Sequence, residues 1–217
     1  LYGSHTKHHF VLSFKISEKK FMSFVYTPSL ISQGLTYEAY REKINDSLRI
    51  PPANEQEEKL RVYTEKNESL MNGFDATYEV STAFEDILKQ APEMHWLVLT
   101  EGWCGDAAFS VPLLAKIAQQ YSEKIKLHLY FRDTHLDLMD AHLTNGGRSI
   151  PKLVILDSKL LLRTSWGPRP EALSEKMLEW KQAELPFKEL VTKVHQWYHQ
   201  DDTQSVQQEL QQLLKGL

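Results

Sequence analysis

The chain has 217 residues, 41% of them hydrophobic and 25% charged, enough to bury a sizeable core without a disulfide or metal staple and too apolar for a disordered polymer. Its formal charge of −4 argues against a general nucleic-acid binder, and no apolar run approaches the roughly 20 residues that span a bilayer. The single cysteine, Cys104, excludes an intramolecular disulfide and any multi-cysteine metal site, and fits a reducing, cytoplasmic setting.

In chain order, Leu1 to His5 (LYGSH) reads as a cloning remnant, Met22 as a natural start and residues 1–21 as a tag or disordered arm. The trio His5, His8 and His9 needs no metal on that reading. Residues 22–80 read as a helical N-terminal extension. Tyr37, Tyr40, Ile44 and Leu48 recur at helical spacing before the Pro51-Pro52 stop. A second helix starts near Asn54, with Glu55, Glu57 and Glu58 in its first turn, and runs toward Met71 ahead of Gly73.

Residues 81–183 alternate helix and strand and are expected to form the central domain. Thr82 is a candidate cap for a helix carrying Phe84, Ile87 and Leu88. Trp96 to Leu99 is a continuous apolar run, as a doubly covered strand requires. A helix follows over 106–121, then an alternating strand over 125–131, a short helix over 136–143, and two strands over 152–156 and 160–164 joined at Asp157-Ser158. Glu171 to Trp180 is helical. Residues 184–217 read as a C-terminal helical extension packing on the domain. Phe187, Leu190, Val191, Val194, Trp197 and Tyr198 form its cleanest amphipathic stripe, and Gln200 to Leu217 keeps Val206, Leu210, Leu213 and Leu214 on one face.

The string Leu99 to Ala107 (LTEGWCGDA) runs from a buried strand through a turn to a helix that starts just after the cysteine. That geometry sets the sulfur over the first free N–H groups of the helix, where partial positive charge favours a thiolate, the species that attacks disulfides. Asp106 acts in the opposite direction by placing a negative charge beside the thiol. The sequence leaves the balance open.

Here the chain resembles the thioredoxin superfamily. Trp103-Cys104-Gly105 matches the start of its redox motif, Pro112 the proline of the following helix, Ile150-Pro151 the cis-proline loop, and Gly167 the glycine that ends the last strand. The closest likeness is to bacterial members bearing Trp-Cys-Gly-Asp-Ala. The resemblance spans about 100 residues. It implies an α/β fold: a thioredoxin-like mixed central sheet with helices on both faces, here with N- and C-terminal helical extensions. By the same resemblance, Ile150 contacts an extended peptide and Pro151 stands cis beside the cysteine. The two glycines of Asn145 to Ser149 suit a turn, and Arg148 is a candidate to bring a guanidinium near the thiol. The chain departs from the family in two places. Ala107 replaces the resolving cysteine, and Val98 replaces the buried acid that serves it.

Three readings of Cys104 compete: a monothiol nucleophile, a modifiable thiol without turnover, or a relic on a fold used for binding. The first functional reading is a monothiol redox or thiol-relay protein, not a dithiol reductase. Cys104 is then the nucleophile toward a small thiol or protein disulfide, with Trp103, Gly105, Asp106, Arg148, Ile150 and Pro151 as substrate contacts. The alternative is a non-catalytic module that binds a peptide in the groove of Trp103, Ile150 and Pro151. No cofactor or metal is expected, no nucleic-acid or membrane partner either, and the oligomeric state is left open. Asp133, His135, Asp137, Asp140 and His142 read as an exposed face beside core Leu136, Leu138 and Leu143. His195 and His199 read as a solvated face, and Trp166 to Pro170 (WGPRP) as structural punctuation on the groove side.

Overall fold

The computed structural model describes residues 24–217; the reading of 1–21 as an arm, its three histidines and Met22 lie outside the described residues. The N-terminal part holds α1 (Pro28–Gln33), α2 (Tyr37–Arg49) and α3 (Glu55–Thr77). Thr36 caps α2, its Oγ1 accepting the Ala39 N–H at 3.2 Å. Asn54 caps α3 in the same way at Glu57, while the Glu57 carboxylate accepts the Ala53 N–H at 2.8 Å, a reciprocal arrangement that satisfies otherwise orphaned donors. Arg41 pins α2 to α3 by donating to Glu68 at 2.7 Å and to Asn72 at 2.7 Å.

α3 runs past the expected stop at Gly73. Phe74 stacks on Tyr78 with centroids 4.4 Å apart and meets Phe109 at 5.1 Å, which outweighs the roughly 1 kcal/mol penalty of an internal helical glycine. Next come α4 (Ala83–Gln90), β1 (Met94–Thr100), α5 (Gly105–Gln120) and β2 (Ile125–Phe131). Thr82 makes no side-chain cap; Ser81 accepts the Ala83 N–H instead. A 3₁₀ turn (Arg132–Thr134) leads to α6 (Leu136–Asp140), β3 (Lys152–Asp157) and β4 (Leu162–Trp166). β4 begins later than expected because the turn takes up residues 157–161: the Asp157 carboxylate accepts the N–H groups of Lys159 and Leu161, and Leu160 is left-handed at φ 61°.

The sheet order is β2-β1-β3-β4, with β1 and β2 parallel and the other pairs antiparallel. It is the mixed α/β sheet of a thioredoxin-like fold. Trp96 to Leu99 are completely buried, so β1 is covered on both faces, which a continuous apolar run demands. Outside β2, Leu35 exchanges both backbone hydrogen bonds with Leu129, at 2.9 Å each.

The α6 region corrects the sequence reading. Leu136 and Leu143 are exposed, whereas His142 is buried and hydrogen-bonded to the Tyr26 hydroxyl at 2.5 Å. Among the described residues no group of three or more His, Cys, Asp or Glu is placed to hold a metal ion, and no helix is long and apolar enough to cross a membrane.

The C-terminal part comprises α7 (Glu171–Gln182), α8 (Phe187–Asp201) and α9 (Gln204–Lys215). The stretch after Gln200 is broken at Asp202-Thr203, both left-handed, so the α8 helix ends there and α9 starts afresh. α9 buries Val206, Leu210 and Leu214 in the main core. Its Gln207 side chain bridges the Glu79 carbonyl and the Ser81 N–H. The stripe on α8 divides. Val194, Trp197 and Tyr198 join Phe109 and Leu173 in a second cluster, while Phe187 stays 67% exposed.

Candidate functional site

β1 delivers the chain into a turn over residues 101–103, and Cys104 is the first residue flanking α5, its carbonyl accepting the Ala108 N–H at 3.1 Å. The turn is held from three sides. The buried Asn67 of α3 donates to the Gly102 carbonyl at 2.9 Å, Cys104 N–H bonds the Glu101 carbonyl at 3.1 Å, and the Glu101 carboxylate accepts the Asp133 N–H at 2.9 Å. Burial pushes the Glu101 carboxyl up to about 7, partly opposed by that Asp133 hydrogen bond.

Cys104 is buried, and its thiol donates to the Ile150 carbonyl at 3.4 Å. The Ile150–Pro151 peptide is cis, as is Gly167–Pro168. Gly167 adopts φ 103°, and a Cβ on it would lie 2.3 Å from the Pro151 carbonyl oxygen, so only glycine allows the two backbones to approach this closely. Burial pushes the Cys104 thiol up to about 12, with the Asp106 charge adding to the rise. The N–H groups of Ala107 and Asp106 and the Arg169 guanidinium act the other way without winning. The two influences that the sequence left in balance are thus outweighed by a third, desolvation.

Asp106 is also buried. Arg169 forms an ion pair with its carboxylate, and the Tyr198 hydroxyl donates to it at 3.0 Å. Burial raises the carboxyl, while Arg169 and Tyr198 hold it back. Desolvation opposes the Arg169 charge, and the Asp106 carboxylate more than offsets it. Tyr198 stacks on Phe109 at 4.5 Å, and His195 stands edge-on to the same ring at 5.1 Å. A Cβ on Gly105 would sit 3.7 Å from His195 Nε2. Burial lowers the pKa of His195.

Of the residues singled out in the sequence, Trp103, Cys104, Gly105 and Asp106 lie together at the head of α5, and Ile150 joins them through the thiol. Arg148 does not. Its guanidinium grips Asp140 with two hydrogen bonds, at 2.6 and 2.8 Å, and the guanidinium acting on Cys104 is that of Arg169. Trp103 carries a different cation, Arg132, 5.0 Å over its ring. Arg169 enters the site from the Trp166 to Pro170 stretch on the groove side, where punctuation is the preferred sequence reading and groove lining the alternative. Nothing in the sequence reading assigns His195 or Tyr198 to the site. The signal for Arg169 was available: a carboxylate buried in the first turn of an apolar helix requires a cationic partner.

Trp103, Cys104 and Gly105 also form the floor of a groove of about 960 Å³ whose walls are α3 and α8. The apolar part of those walls includes Val62, Tyr63, Phe187 and Val191. The half-buried His195 and the exposed His199 line it too; the solvated-face reading holds for His199, while His195 departs from it by packing edge-on against Phe109.

A family model described as thioredoxin matches residues 53–184. No curated protein matches the chain. Solved structures match as well. A protein of unknown function from Pseudomonas aeruginosa is 16% identical, with a TM-score of 0.56 over 89% of this chain and 99% of its own. An HIV epitope scaffold is also 16% identical, with a TM-score of 0.53 over 87% of this chain and 97% of its own. Both likenesses are to the fold. With the family match covering more than half of its length, the chain belongs to the thioredoxin family.

Proposed function

We propose that this chain is a thioredoxin-fold binding module in which Cys104 is a protonated structural thiol and not a nucleophile. The setting of the sulfur carries this reading: it is buried, donates its proton to the Ile150 carbonyl at 3.4 Å, and has the Asp106 carboxylate as a close neighbour. Ionisation would forfeit hydration, turn that hydrogen bond into a repulsion and face a second negative charge. With burial and the Asp106 charge both raising the thiol, the thiolate is the disfavoured form at neutral pH, and only the thiolate attacks a disulfide. Ala107 supplies no second thiol to release a mixed disulfide. What the site offers in exchange is surface, namely the open groove over Trp103 and Cys104.

A second reading rests on the N–H groups of Asp106 and Ala107, which favour a thiolate at the sulfur. There Cys104 attacks a small-molecule or protein disulfide, one half departs as a thiolate, and an external thiol later frees Cys104. The rate of iodoacetamide alkylation of the full chain, followed from about pH 6 to pH 11, separates the two. The binding reading expects an apparent pKa above about 9, whereas a value near 6 to 7 would establish the monothiol relay and overturn it.

A further inference from the structure

We infer that the groove between α3 and α8 takes an acidic amphipathic helix of a partner protein. This rests on the binding reading above and names the partner's chemistry. The charge in the groove is one-sided. In a chain with a formal charge of −4, the lining carries Lys59, Lys66 and Lys188 and, among the described residues, no Asp or Glu. Glu58 and Glu65 of α3 and Glu189 of α8 fall outside the lining. Lys59 is paired with Glu55, but Lys66 and Lys188 make no ion pair among the described residues. Between these cations lie exposed apolar side chains: Val62 is 41% exposed, Tyr63 38% and Phe187 67%. An apolar bed bordered by cations complements a ligand with an apolar stripe bordered by anions.

The distribution of the cations selects a helix over a fatty acid. The His199 ring lies 6.0 Å from Phe74 near the C-terminal end of α3, and His195 approaches Gly105 further back. Phe187 and Lys188 therefore lie toward the Lys59 end, so Lys66 and Lys188 stand on opposite walls and at different depths along the groove. A single carboxylate headgroup would engage one end only. From Phe187 to His199 the α8 wall is roughly 18 Å long at 1.5 Å per residue. A helix of about three turns, roughly 16 Å, can lie along it. That length matches the α8 wall, and side chains at i, i+3, i+4 and i+7 would meet the apolar bed.

Two labelled synthetic peptides of about 14 residues test this against the full chain by fluorescence anisotropy. Both carry leucine at those positions, and they differ in having glutamate or lysine on the flanks. The glutamate peptide is expected to bind at least about tenfold tighter than its lysine twin, with affinity falling as salt rises. The double variant Lys66→Glu/Lys188→Glu is expected to reverse the preference, its fold checked by circular dichroism. Equal binding of both peptides, or binding of neither, overturns the inference, as does binding of oleate without the glutamate peptide. Should the double variant misfold, the peptide pair and the salt series on the native chain still decide. Peptide failure with an unreactive Cys104 removes only this inference, whereas an alkylation pKa near 6 to 7 removes the binding reading beneath it.

Discussion

Replacing Asp106 by Asn removes one charge from the site with almost no change of shape. The Tyr198 hydroxyl keeps an acceptor, but Arg169 loses its anion while still half enclosed. The side chains of the pair are 10% and 21% exposed, between a surface pair worth about 0.2–1 kcal/mol and a fully buried one whose disruption costs about 3–5 kcal/mol. The expected loss is therefore about 2–3 kcal/mol, read as a shift of the urea midpoint at unchanged slope, or as roughly 4–12 °C in Tm for a chain of this size. The same substitution takes a negative charge from beside the thiol and leaves Arg169 free to attract a thiolate. The alkylation pKa of Cys104 is thus expected to fall by about 1 to 2. The triple variant Asp106→Leu/Arg169→Met/Tyr198→Phe, which replaces the ion pair with apolar volume and removes the hydroxyl that Asp106 accepts, is expected to recover most of the lost stability. Asp106→Asn protein with stability within about 0.5 kcal/mol of the native chain and an unmoved thiol pKa would refute the coupling.

Two further predictions concern the supports of the site. Glu101, raised to about 7, binds its proton more readily folded than unfolded, so its contribution is present at low pH and is lost as pH rises from about 4.5 to 7. The linkage is at most about 3 kcal/mol; Glu101→Gln, which keeps the acceptor for the Asp133 N–H, is expected to flatten denaturation stability across that window, and an unchanged slope would contradict it. Gly167→Ala meets both an unfavourable φ and the Pro151 carbonyl, with an expected loss of about 2–3 kcal/mol, whereas Gly146→Ala, at φ 77° with open space around it, should lose only about 1 kcal/mol. Equal losses in the two variants would mean that the close approach at Pro151 carries no weight.

The meeting of Cys104 with Ile150 was legible because it depends on a strand, a turn and a helix whose patterns are local, and on landmarks of a known family. The identity of the neighbouring cation was not. Arg148 and Arg169 both sit in glycine- or proline-bearing loops, and what separates them is a spatial neighbour, Asp140, which captures the first. Periodicity on α8 gave a helix with an apolar face, but it could not divide that face between the Phe109 cluster and the open groove. That division comes from the stacking of Tyr198 on Phe109, a contact between residues far apart in sequence. Gly73 misled for the same reason: propensity marks a weak point in a helix, and packing of Phe74 decides whether the helix breaks there.

The small backbone exchange between Leu35 and Leu129 has a consequence for how copies of this protein behave when crowded. Most open sheets present a bare margin of donors and acceptors that a strand from another molecule can continue. Here the β2 margin is interrupted near its middle, so an invading strand would find only short runs on either side of the clasp. One residue, placed between α1 and α2 and far in sequence from the sheet it guards, denies polymerisation a template along that border.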